Sequence, residues 1–264
     1  MPYPANLFFR LRAWLKYHFR AADQHALHAP FVYEFYEEVM RHPYTFNVYS
    51  DLEAERERLL SDSRVLSFKD SGAGNQSGRR IISEIASTSL MPHFKAAFLL
   101  KLVHWLKPGQ ILELGTCLGL TTAYLAQGSG TVYTFEASES MAEEARSLWK
   151  RLQMEDIVLK EGNLDETLPE FLSQQSGWNL AIMDANHRYE PTMNYYRMLK
   201  NSCSDGACIV LDDIYWSEEM ASAWQEIRND PAVQVSIDLF HLGVVFFRRE
   251  SSKQHFILKW QAGA

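Results

Sequence analysis

The residues best suited to chemistry fall in two groups. The first is the run Glu113-Leu114-Gly115-Thr116-Cys117-Leu118-Gly119, with Glu136 following 21 residues after Gly115. The second is Asp184, His187, Asp212 and Asp213, in the segments Met183-Asp184-Ala185-Asn186-His187 and Leu211-Asp212-Asp213-Ile214. Gly115 and Gly119 can frame a tight turn and let a ligand approach the backbone closely. The G-x-G-x-x-G spacing of a dinucleotide loop is absent. Glu113 would repel a pyrophosphate, but it suits a cofactor that carries an ammonium and a sulfonium, such as S-adenosylmethionine (SAM). An acid at the position of Glu136 can accept hydrogen bonds from both ribose hydroxyls.

Asp184, Asp212 and Asp213 would repel one another in a shared pocket unless a cation sat among them. A hard divalent cation such as Mg²⁺ prefers oxygen ligands and retains waters that a substrate can replace. His187, three residues after Asp184, is placed to act as a general base on a hydroxyl. Plainer roles stay open. Asp184 could cap a helix or contact the cofactor without a metal, and Asp212 and Asp213 could be turn residues. His187 could face water. Trp216, Tyr189, Tyr195 and Tyr196 could wall a substrate site or pack in the core, and Cys117 reads as a small space-filler.

Positioning these groups takes strands that end where the groups begin. Short apolar runs predict strands at Ile111–Leu114, Thr131–Glu136, Ile157–Lys160, Asn179–Met183, Ala207–Leu211, Val233–Leu239 and Val244–Arg248. Between them, helical periods start at Leu120 and cover Ser138–Leu152, Leu164–Leu172, Pro191–Leu199 and Glu218–Arg228. The last two strands are separated only by Phe240–Gly243, which suggests a hairpin. The pattern predicts a doubly wound α/β sheet, mainly parallel, with one antiparallel strand.

Residues 1–105 show helical periods and few strand signals. Helices are expected at Asn6–Arg20, Phe31–Met40 and Leu52–Leu60. In the first, Leu7, Leu11, Trp14, Leu15 and His18 share a face, beside Arg10, Arg12, Lys16 and Arg20. The expectation is a capping helix that packs this stripe on the main domain, in preference to docking on a membrane or substrate. Asp70–Gly78, rich in glycine and small polar residues, is a loop that could be a lid or a connector.

The formal net charge of -7 disfavours broad nucleic-acid binding, which needs a basic surface. Three cysteines without metal-type spacing read as reduced thiols in a cytoplasmic compartment. No apolar run is long enough to span a bilayer, so no membrane association is expected.

Residues from about Pro92 to Arg249 resemble class I SAM-dependent methyltransferases, particularly the catechol and caffeoyl-CoA O-methyltransferase type, which also lacks a middle glycine at the position of Cys117. His187 and Asp213 stand where that type has a lysine and an asparagine. At these points the chain is more similar to metal-dependent sugar O-methyltransferases of macrolide pathways. The segment His25-Ala26-Leu27-His28-Ala29-Pro30-Phe31-Val32 resembles the N-terminal region of an uncharacterised bacterial methyltransferase family.

The resemblance implies a Rossmann-like, seven-stranded sheet. It implies a helical cap and lid region over residues 1–91, a SAM-binding domain over 92–250 and a C-terminal tail over 251–264. The implied cofactor contacts are Glu113, Gly115, Thr116, Cys117, Gly119, Glu136, Ala137 and Asp184, with Gly162, Asn163 and Leu164 beside Glu161 lining the adenine. Asp184, Asp212 and Asp213 would hold the divalent cation, while His187 and Asp184 would be catalytic. The expected reaction is O-methylation of a small hydroxylated acceptor, and the chain could be a homodimer. Alternatives are a metal-independent methyltransferase acting on RNA or protein, and a non-catalytic SAM-binding protein.

Overall fold

The computed structural model describes residues 7–22, 27–41, 48–69 and 77–260. The chain forms two compact units: Met1–Arg41 with Gln175–Ala264, and His42–Gln174.

The His42–Gln174 unit contains α3 (Val48–Ser61), β1 (Val65–Lys69), β2 (Ser77–Ile81), α4 (Ile82–Ser89) and α5 (His93–Leu106). It continues through β3 (Gln110–Leu114), α6 (Leu120–Leu125), β4 (Thr131–Glu136), α7 (Glu139–Arg151), β5 (Ile157–Glu161) and α8 (Leu164–Gln174). Strands β3, β4 and β5 are parallel neighbours in that order. Ile111, Leu112 and Leu114 of β3 are buried, as expected for a strand covered on both faces. Helix α5 is buried on nearly every side, from Ala96 to Val103, and ends at Lys107 in the left-handed region (φ 48) just before Pro108. Ion pairs join α3 and the turn after it to α7: Glu55 to Arg151, and Arg64 to Glu144, each at 2.8 Å.

The other unit begins with α1 (Leu7–Arg20) and α2 (Pro30–Phe35), which runs on into a π-helical stretch at Tyr36–Arg41. Then follow β6 (Trp178–Met183), α9 (Tyr189–Lys200), β7 (Cys203–Asp212), α10 (Glu218–Asn229), β8 (Val235–Asp238), β9 (Leu242–Phe246) and β10 (Gln254–Ile257). Within this unit the strand order is β10-β8-β9-β7-β6. Strands β6 and β7 are parallel, β10 is parallel to β8, and β9 is antiparallel to both β7 and β8. The expected hairpin is β8–β9, closed by Phe240 in the left-handed region (φ 66) with its N–H on Asp238 Oδ1 at 2.9 Å.

The α/β, Rossmann-like, mainly parallel class with one antiparallel strand therefore holds, with three corrections. Eight such strands are present instead of seven, because Gln254–Ile257 in the expected tail adds β10. The antiparallel pair β1–β2 lies in a region expected to be helical. The first 91 residues divide between the two units instead of forming one cap. Of the loop that could have been a lid, residues 70–76 lie outside the described residues, while Ser77 and Gly78 begin β2.

Helix α1 also departs from expectation. It is anchored by Tyr17, whose hydroxyl donates to the Leu258 carbonyl at 2.5 Å and whose ring meets Phe240. Its apolar stripe points the other way: Leu7, Phe8, Leu11, Trp14, Leu15 and Phe19 are all exposed. The stripe of apolar residues was legible in the sequence, but the partner that would have covered it is not there among the described residues.

Candidate functional site

The turn after β3 is built from backbone strain and buried hydroxyls. Gly115 (φ 106), Cys117 (φ 51) and Gly119 (φ 81) all lie in the left-handed region. Glycine reaches that region freely, whereas Cys117 adopts it at a steric cost of roughly 1 kcal/mol. Gly119 has a second reason to lack a side chain: a Cβ there would come within 2.7 Å of the Ala145 Cβ on α7. The Trp149 indole N–H closes this contact by donating to the Gly119 carbonyl at 2.8 Å.

Glu113 is wholly buried, and its Oε2 accepts from the hydroxyls of Thr122 (2.5 Å) and Thr134 (2.6 Å). The hydroxyls of Thr116 and Thr134 are in turn bonded at 2.5 Å. Among the described residues, Glu113 Oε1 has no hydrogen-bond partner. Burial pushes the carboxyl up to about 7 against the two threonine hydrogen bonds, with the Glu136 charge adding to the rise. Thr122 and Thr134 carried no signal in the sequence reading. Thr134 could have been found from strand register, since it lies beside Glu113 across β3 and β4.

Glu136 ends β4 and clamps the turn. Its Oε2 accepts the Cys117 N–H at 2.8 Å and its Oε1 accepts the Ser138 N–H at 2.9 Å, with half-buried Ala137 between. A carboxylate oxygen can accept more than one hydrogen bond, the property that a ribose hydroxyl would use. At the end of β5, Gly162 (φ 127) donates its N–H to the Glu136 carbonyl at 2.9 Å. Asn163 Oδ1 accepts the Asp165 N–H at 3.1 Å, and Leu164 starts α8. The residues expected to meet a nucleoside thus follow the carboxyl ends of β3, β4 and β5 within one unit, where open α/β sheets bind ligands.

In the other unit, β6 and β7 run in parallel register, with Met183 beside Leu211. Just beyond them, ligand atoms of Asp184, His187 and Asp212 lie within 4.8 Å of one another. His187 Nε2 is 3.5 Å from Asp184 Oδ1, and both side chains are about one-quarter exposed. Asp212 is buried. Asn186 turns the chain in the left-handed region (φ 53) and donates from Nδ2 to the Tyr195 hydroxyl at 2.7 Å.

Asp213, expected as the third metal ligand, does not belong to this cluster, and His187 takes its place. Successive residues at a strand end point to opposite sides. Asp213 (φ 50) instead shapes the turn: its N–H donates to the His241 carbonyl and its carbonyl accepts the Trp216 N–H, both at 2.8 Å. The aromatic wall is not assembled either. Tyr195 and Tyr196 are core residues, the Tyr189 hydroxyl donates to Glu226, and Trp216 carries the Arg10 guanidinium 5.2 Å from its ring centre.

A family profile described as a methyltransferase domain matches residues 112–214. No curated protein matches the chain. Among solved structures, the chain is similar to an O-methyltransferase of Bacillus cereus in complex with SAH, at 19% identity and a TM-score of 0.57, over 83% of this chain and 97% of that one. It is similar to the SAH-bound methyltransferase PaMTH1 of Podospora anserina at 16% identity and a TM-score of 0.55, over 78% and 98% of the two chains. A caffeoyl-CoA O-methyltransferase assignment from Staphylococcus aureus follows at 14% identity and a TM-score of 0.55, over 62% and 88%. Each of these likenesses is one of fold. Residues 112–214 thus match a methyltransferase-domain profile, and the chain shares the fold of these solved structures.

Proposed function

We propose that this chain is a SAM-dependent methyltransferase that methylates a hydroxyl of a small acceptor, with a divalent cation held by Asp184 and Asp212. The observation that carries the reading is the convergence of Asp184, His187 and Asp212 within 4.8 Å beyond adjacent parallel strands. A buried carboxylate on Asp212 and a partly exposed one on Asp184 suit a hard cation that keeps some of its waters. On the cofactor side, the unpartnered Oε1 of buried Glu113 fits a cationic ligand such as the SAM ammonium, and it is ill suited to a phosphate. The SAH bound in the Bacillus cereus and Podospora anserina proteins supports the same cofactor.

When bound, SAM would supply an electrophilic methyl group on its sulfonium, and a divalent cation held by Asp184 and Asp212 would make the acceptor hydroxyl more acidic. His187 accepts the hydroxyl proton at a ring nitrogen and later releases it to water. Asp184 Oδ1, 3.5 Å from Nε2, faces the imidazolium that results and holds the ring in place. Glu136 fixes the cofactor turn through the Cys117 N–H, at the strand end where an acid suits ribose hydroxyls.

Mn²⁺ titration, followed by the loss of the free-ion paramagnetic signal, tests the cation site. The wild-type protein should bind Mn²⁺, and Asp184→Asn should bind it at least tenfold more weakly. His187→Ala should keep the cation and lose about 10²- to 10⁴-fold in methyl transfer to a panel of hydroxylated acceptors. Full transfer in excess chelator would remove the cation from the mechanism. Loss of Mn²⁺ binding in His187→Ala would make His187 a third ligand instead of the base.

A further inference from the structure

Helix α1 presents two kinds of surface on one rod. With about 100° between successive residues, the exposed Leu7, Phe8, Leu11, Trp14, Leu15 and Phe19 span one arc of roughly 140°, with His18, stacked on Trp14, the one polar residue within it. Leu7, Phe8 and Phe19 are 81%, 75% and 85% exposed, values unusual for large apolar side chains in a helix that is itself anchored. The opposite face holds the anchor, Tyr17, with Ala13 beside it in the same small core as Phe240. Cations flank the apolar arc on both sides, Arg12 and then Lys16 beyond one edge and Arg10, over the Trp216 ring, beyond the other, while Arg20 lies toward the anchored face. A cavity of about 380 Å³ opens beside Arg12 and Lys16 and is lined also by Arg20 and Arg228, with Glu218 the one acid in its wall among the described residues.

The charge pattern names the partner. The chain carries 33 acidic residues and a net charge of -7, yet no acid precedes Asp23. An apolar arc edged with cations on an otherwise acidic protein is complementary to a surface that is apolar inside and anionic outside. We propose that α1 docks this chain on anionic phospholipid membranes, lying in the interface plane. The arc enters the acyl boundary and the cationic edges meet lipid phosphates, with the cavity taking a headgroup. A second copy of the chain is less well matched, because two such helices facing each other would bring like charges together.

Co-sedimentation of the full chain with vesicles tests this. One set is made of equal parts phosphatidylglycerol and phosphatidylcholine, the other of phosphatidylcholine alone. The wild-type protein should bind the anionic vesicles at least tenfold more strongly, and salt should weaken the binding. Leu11→Glu with Leu15→Glu should abolish it, with the melting temperature unchanged because both sites are exposed. Arg12→Gln, Lys16→Gln and Arg20→Gln together should weaken it on the order of a hundredfold, from about 1 kcal/mol per cation near such a surface. No binding to the anionic vesicles, or equal binding to both sets, would overturn the proposal. So would a wild-type dimer in light scattering that Leu11→Glu with Leu15→Glu turns into a monomer, since the arc would then belong to a second copy.

Discussion

Glu113 shows how one buried group can couple the cofactor turn to pH. Its carboxyl is wholly buried and pushed up to about 7 from an ordinary value of 4.5, burial being the largest cause. Below pH 4.5 the folded and unfolded states both hold the proton, and the group's contribution to stability is complete. Between 4.5 and about 7 the unfolded chain has released the proton while the folded state retains it, so stability falls as pH rises. The loss is complete above about 7 and amounts to roughly 3 kcal/mol at 1.36 kcal/mol per unit. Glu113→Gln keeps an acceptor for Thr122 and Thr134 but cannot ionise. Urea unfolding at pH 4 and pH 8 should show the variant gaining on the wild type by that order between the two conditions. An identical pH dependence in both proteins would mean that Glu113 does not titrate in this window. Bound SAM should work against the rise, because an ammonium near Oε1 favours the ionised carboxylate.

At the scale of the elements, close packing between strand and helix fixes where the strand ends lie. Gly243 of β9 is an example: a Cβ there would sit 2.7 Å from the Trp224 ring of α10 and 2.9 Å from Ile214 Cγ2. Trp224 and Ile214 are both buried and have nowhere to move. Gly243→Ala should therefore destabilise the protein by about 1–3 kcal/mol, the usual cost of overpacking a tight core. Thermal or urea unfolding checks this, and an unchanged midpoint would mean that α10 can shift at no cost. Strands buried on both faces were legible as apolar runs: Ile111–Leu114, Asn179–Met183 and Ala207–Leu211 all fall within β3, β6 and β7. The β1–β2 pair was not, because Ser77-Gly78-Arg79-Arg80-Ile81 is polar and too short to show alternation. Nor was β10, whose four residues are only partly buried at the outer side of β8. For α1, periodicity revealed an apolar stripe but could not say whether anything covers it.

Across the whole molecule, the candidate site was legible where strand ends carry unusual charge. Glu113, Glu136, Asp184 and Asp212 could each be placed from sequence, because an acid at the end of an apolar run stands out. The choice between Asp213 and His187 was not legible, since it depends on turn geometry beyond β7. Among the described residues, no helix is long and apolar enough to cross a membrane, so α1 could only lie on one. The central claim is that the turn from Glu113 to Gly119, clamped by Glu136, holds SAM. It is tested most directly by titrating the full chain with SAH in a calorimeter, which requires no knowledge of the acceptor. The account predicts saturable one-site binding to the wild type, weakened in Glu136→Ala by the loss of ribose hydrogen bonds worth about 1 kcal/mol each. No heat of binding with SAH, or saturable binding of a nicotinamide dinucleotide in its place, would contradict it.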